Sequence, residues 1–64
     1  MDYEAKFNEL TTSNAAGTMS DRDALAFDSA MSNAHDTERE GVQRYSVDWY
    51  MIFVSTFNAW FDEN

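Results

Sequence analysis

The chain has 64 residues, no cysteine, no proline, and 12 acidic side chains against 4 basic ones, for a formal net charge of -8. That length confines it to one small domain over 1–64, and the missing cysteines exclude a disulfide framework, a thiolate zinc site and a thiol nucleophile. The acidic balance excludes a basic patch for DNA or anionic lipid, so no direct nucleic-acid contact and no membrane binding are expected.

The opening residues Met1-Asp2-Tyr3-Glu4 lack the basic and apolar regions of a secretory signal. The most apolar stretch, Val47 to Phe61, would rise only about 22 Å as a helix, short of a hydrocarbon layer of ~30 Å. Asp48 lies near one end of it, and Asp62 and Glu63 follow the other. The expectation is a soluble, cytoplasmic protein.

Tyr3, Phe7 and Leu10 recur at i, i+4 and i+7, which predicts a first helix over 2–11. Asp2 and Glu4 suit its first turn, and Lys6 stands at i+4 from Asp2. The stripe is narrow, so this helix must dock to persist. Residues 12–20 are small and polar, with Gly17 among them, and read as a loop.

Ser20-Asp21-Arg22-Asp23 is a helix start, with Ser20 as cap and Asp23 at the third helical position. Ala24, Phe27, Met31 and Ala34, with Leu25 beside them, continue the pattern and predict a second helix over 21–34. Thr37-Glu38-Arg39-Glu40 repeats the start signal. The chain either bends there or runs straight on, and Gly41 favours the bend.

The third segment, 38–62, carries most of the information. It begins with a strand-like alternation through Tyr45, Val47 and Trp49, but Tyr50 to Val54 are all apolar and the length exceeds that of ordinary strands. As a helix it gathers Glu40, Arg44, Asp48, Ser55, Asn58 and Asp62 into one polar wedge of roughly 80°. Glu40–Arg44 and Arg44–Asp48 would then be ion pairs along that ridge. Tyr45, Trp49, Tyr50, Ile52, Phe53, Phe57, Trp60 and Phe61 spread with Val42, Val47 and Val54 over an apolar arc of roughly 220°, about twice the stripe a core-facing helix needs.

The first two helices offer Tyr3, Phe7, Leu10, Ala24, Leu25, Phe27, Met31 and Ala34, enough to sheath one side of that arc. The rest must be covered by something else, because a small chain without disulfides buries little surface. The fold expected is all-α: a helical hairpin or three-helix unit with a long aromatic C-terminal helix, assembling as a helical-bundle oligomer. A homodimer joined along that helix is the favoured way to cover the arc, and a bound protein partner would do the same.

Chemistry is sparse. His35, Ser32 and Asp36 point in directions on a helix that do not build a triad. Asp21-Arg22-Asp23 lacks the glycine and distal glutamate of a calcium hand, and Gly17 and Gly41 form no phosphate loop. No enzymatic activity, cofactor or metal is expected.

The chain is expected to act as an acidic protein–protein interaction module that binds and blocks or recruits another macromolecule. In size, acidity and lack of catalytic residues it is similar, as a class rather than residue by residue, to small phage-encoded inhibitors of host proteins. Two other readings stand beside that one. The chain could be a structural subunit packing through its C-terminal helix. It could also be a decoy mimicking nucleic acid, its face of Asp21, Asp28, Asp36, Glu38 and Glu40 engaging a basic groove.

Overall fold

The computed structural model describes residues 2–63; Met1 and Asn64, the outermost positions of the 1–64 unit, lie outside the described residues. The chain is all-α, with helices α1 (Tyr3–Ala16), α2 (Asp21–Thr37) and α3 (Val47–Glu63) and a single 3-10 turn at Glu38–Glu40. No strand occurs among the described residues.

Asp2 caps α1 by accepting the Ala5 N–H at 3.0 Å. The helix runs five residues beyond the expected 2–11, through the polar stretch read as loop. No proline or glycine interrupts 11–16, and Thr11 returns its hydroxyl to the Phe7 and Asn8 carbonyls, at 3.0 Å each. Gly17 ends the helix with φ 71°. Its N–H reaches the Asn14 carbonyl and Thr18 N–H reaches that of Ser13, the paired closure that a left-handed residue permits.

Ser20 caps α2 as expected, accepting the Asp23 N–H at 3.1 Å. The second helix extends to Thr37, and the expected start at 37–38 proves to be its end. Thr37 does not cap; its hydroxyl donates back to the Ala34 carbonyl at 2.6 Å. Gly41, at φ 100°, closes the segment as Gly17 does, with Gly41 N–H to Glu38 and Val42 N–H to Thr37. Residues 41–46 are therefore not helical, and α3 begins at Val47 rather than 38. Ser46 is its cap, accepting the Trp49 N–H at 3.2 Å.

Helix α3 is the centre of the molecule. It packs on α2 and on α1, while α1 and α2 scarcely meet. On α2 the contact surface is a ridge of Ala26, Ala30 and Ala34, all without exposed surface, at the i, i+4, i+8 spacing that stacks side chains on one face. Alanine at these positions lets the large rings of α3 come close. Trp49, Phe53 and Val54 are fully buried, with Phe57 beside them. On the other side Phe7 of α1 sets its ring edge-on to Trp49 (5.2 Å) and to Phe53 (4.9 Å). Such pairs add roughly 0.5–1.5 kcal/mol each beyond the area they bury.

Leu25, expected near the core, is 58% exposed. Asp21 and Asp28 share its outward face, whereas Ala26 and Ala30, absent from the expected core, take the inward one. The polar wedge of α3 faces outward at Asp48, Ser55, Asn58 and Asp62. The Glu40–Arg44–Asp48 ridge does not form, because Arg44 lies in the turn and its guanidinium turns back to Glu38.

Candidate functional site

The expected interface residues fall into two groups. Trp49, Phe53 and Phe57 are drawn into the chain's own core. Tyr50, Ile52, Trp60 and Phe61 are partly buried, and Tyr45 is 59% exposed. Arg22 lays its guanidinium over the rings of Trp60 (5.9 Å) and Phe61 (5.0 Å), covering part of the far end of α3 with a cation held over π faces. What remains open at the near end is Tyr45, Val47 (75% exposed) and Met51 (40% exposed).

The turn before α3 places these residues. Tyr45 has φ 64°, the only positive value at a non-glycine among the described residues, a backbone region that side chains other than glycine and asparagine rarely adopt. Its ring meets Trp49 at 5.3 Å, lies nearly parallel to that of Tyr50 at 6.3 Å, and approaches Phe7 at 6.2 Å. These contacts offset the conformational cost. A cleft of about 370 Å³ opens there between the first turns of α1 and α3, lined by Asp2, Tyr3, Glu4, Tyr45, Val47 and Tyr50.

Glu38 anchors the turn from beneath. Its carboxylate accepts from Arg44 Nε (3.0 and 3.1 Å), from Trp49 Nε1 (3.2 Å) and from His35 Nδ1 (2.7 Å). The Arg44 hydrogen bond, opposed by burial and supported by His35, the charge of Arg44 and Trp49, holds the carboxyl at about 2, below its ordinary 4.5. An ionised carboxylate only accepts, so Nδ1 is the protonated nitrogen of His35. His35 is thus a brace between α2 and Trp49, whose ring it meets edge-on at 5.9 Å.

Glu38 also makes the turn sensitive to acid. Folding lowers this pKa, so the stability it supplies is complete above the ordinary value and drains away as pH falls from 4.5 toward 2. Glu38→Gln is expected to lower Tm at neutral pH and to flatten its decline over that window. Thermal melts followed by circular dichroism would test this. Parallel Tm–pH profiles for the two proteins would show that some other carboxylate is responsible.

Of the expected acidic face, Asp21, Asp28, Asp36 and Glu40 are exposed, and none forms an ion pair among the described residues. Glu38 leaves this group, being committed to the turn. A second groove, of about 550 Å³, runs between α2 and α3 past Ser29, Asn33, Ser55, Thr56, Ala59 and Trp60. There the Asn33 amide donates to the Thr56 hydroxyl at 2.7 Å, so those two polar groups engage one another. Among the described residues no cluster of three or more histidines and carboxylates has a metal-binding arrangement, and no helix is long and apolar enough to cross a membrane.

No protein-family model, curated protein or solved structure matches the chain.

Proposed function

We propose that this chain is a non-enzymatic protein–protein interaction module that binds another macromolecule, blocking or recruiting it, through the surface at the start of α3. The observation that carries the reading is the exposure of Tyr45, Val47 and Met51 side by side with an aromatic cleft, on a chain that buries its other large rings at least in part. Tyrosine and methionine are enriched where proteins meet, and charged side chains are depleted at the centre of such surfaces.

The charge of -8 favours a foreign partner over a second copy. Two copies meeting at this end would bring Asp2, Glu4 and Asp48 of each together, a like-charge juxtaposition that suppresses pairing. A partner with a basic surface would be drawn in by the same charges.

The test is quantitative pull-down with wild-type chain and with Val47→Ser/Met51→Ser, which removes the apolar surface and leaves the charge unchanged. Both positions face solvent, so the variant's helical signal and Tm should stay close to wild type. A specific partner is expected to fall at least tenfold in recovery with the variant. Recovery that does not change would remove this surface as the interface. A concentration-independent dimer mass in light scattering, abolished by the same variant, would transfer the surface to a second copy.

A decoy reading is favoured by one observation: Asp21, Asp28 and Asp36 share an outward stripe of α2 free of ion pairs. Charge reversal at Asp28 and Asp36, with Val47 and Met51 intact, separates the two readings. Only the decoy loses its partner and the salt dependence of binding.

A further inference from the structure

We propose that the cleft between α1 and α3 is a receptor for one cationic side chain, a lysine or arginine of the protein partner. The assignment rests on the interaction reading above and names the chemistry the partner brings.

All three tyrosines of the chain meet at this cleft from distant positions, Tyr3 on α1, Tyr45 in the turn and Tyr50 on α3. The Tyr45 and Tyr50 planes lie within 22° of each other, with Phe7 behind both. The electron-rich faces of such rings attract ammonium and guanidinium groups, and their apolar bodies accept the methylene stem that carries the charge. Among the described residues the charged groups in the lining are Asp2 and Glu4, both carboxylates, and no lysine or arginine lines the space.

The first turns of two helices also open here, and each contributes about half a positive charge. Those ends are already answered. Asp2 accepts the Ala5 N–H and Ser46 the Trp49 N–H, and Glu4 and Asp48 stand in the two first turns. Whole negative charges therefore outweigh the fractional positive ones. Burial first, then the negative charge of Glu4 and the neighbouring Tyr45, raise the Tyr50 phenol above its ordinary 10.

The occupant is a side chain rather than a free small cation because the cleft does not stop at its rim. Val47 belongs to the lining, and Met51, one helical turn along, extends exposed apolar surface beyond it. A protein that inserts a basic residue covers that surface as well.

The experiment is an NMR titration of the ¹⁵N-labelled chain with blocked pentapeptides carrying a central lysine, arginine or glutamate. The two basic peptides are expected to shift the amides of Tyr3, Tyr45, Val47 and Tyr50 saturably, and the glutamate peptide to leave them unmoved. Tyr45→Phe should retain binding, Tyr45→Ala should weaken it about threefold to fivefold, and Glu4→Gln should weaken it and reduce its salt dependence. Glu4 is exposed on the first turn of α1, so that arm does not depend on how Tyr45→Ala folds.

Shifts confined to Asp21, Asp28 and Asp36, or indifferent to both Tyr45→Ala and Glu4→Gln, would overturn the assignment. So would tetramethylammonium chloride seated more tightly than either basic peptide, since the occupant would then be a free cation. If the cleft ignores the peptides while Val47→Ser/Met51→Ser still loses the partner, this assignment fails and the interaction reading stands. If the peptides seat but the partner ignores that variant, the partner does not use this surface, and the interaction reading and the assignment that rests on it both fail.

Discussion

Trp49→Ala is expected to remove a large share of the chain's stability. The ring is fully buried, touches Phe7 and Phe53, and sends its indole N–H to Glu38. Truncating such a ring costs about 3–5 kcal/mol through lost transfer energy and the cavity left behind. A chain of this size has only about 3–10 kcal/mol of stability in total. The measurable outcome is a fall in Tm of roughly 15–30 °C, or loss of the helical signal before heating begins. Trp49→Phe, which keeps a ring but not the N–H, should fall between the two. A Tm within about 5 °C of wild type for the alanine variant would mean the ring is not packed where the core requires it.

Ala30→Leu is the second large effect, and it acts in the opposite steric sense. Ala30 has no exposed surface and sits midway along the ridge on which α3 rests. Added methylene groups there must push α3 away or drive Phe53 and Trp49 out of their rotamers, at about 1–3 kcal/mol. The same substitution at Ala15, exposed on α1, should be neutral to within about 0.5 kcal/mol. Urea denaturation separates the two cases: a lower midpoint with unchanged slope for Ala30→Leu, and no shift for Ala15→Leu. Equal midpoints would show that α2 and α3 are not in close contact at that position.

These two residues also mark what could be read from the sequence and what could not. Trp49, Phe53 and Phe57 announce a helix by spacing, and the helical class follows from them. Their destination does not, because periodicity reports that a face is apolar without saying what covers it. Ala26 and Ala30 carry little hydrophobicity of their own, so a search for large apolar side chains passes over them. The signal available was their spacing with Ala34.

Gly41 was legible only in part. A glycine between two helical patterns reads as a weak point, but here its positive φ closes one helix, and Ser46, five residues later, opens the next. Thr37 and Ser46 are both good caps by composition. Ser46 is the cap that forms: Thr37 turns its hydroxyl back to Ala34, and the left-handed closure at Gly41 ends the helix between them. The cleft was least legible of all. Tyr3 belongs to one helical stripe and Tyr50 to another; the packing of α1 on α3 brings those two together, and the left-handed turn at Tyr45 adds the third.

The central place of α3 has a consequence for how the molecule comes into being. Both α1 and α2 precede it in the chain, yet each finds its packing surface chiefly on α3. During synthesis, at about 5–20 residues per second, neither earlier helix has its main packing surface until α3 has cleared the ribosome exit. The nascent chain is therefore exposed to chaperones and proteases until that moment. Acquisition of structure is then expected to be abrupt rather than progressive, and truncation ahead of Trp49, which takes away Trp49, Phe53, Val54 and Phe57 together, is expected to cost all three helices rather than one.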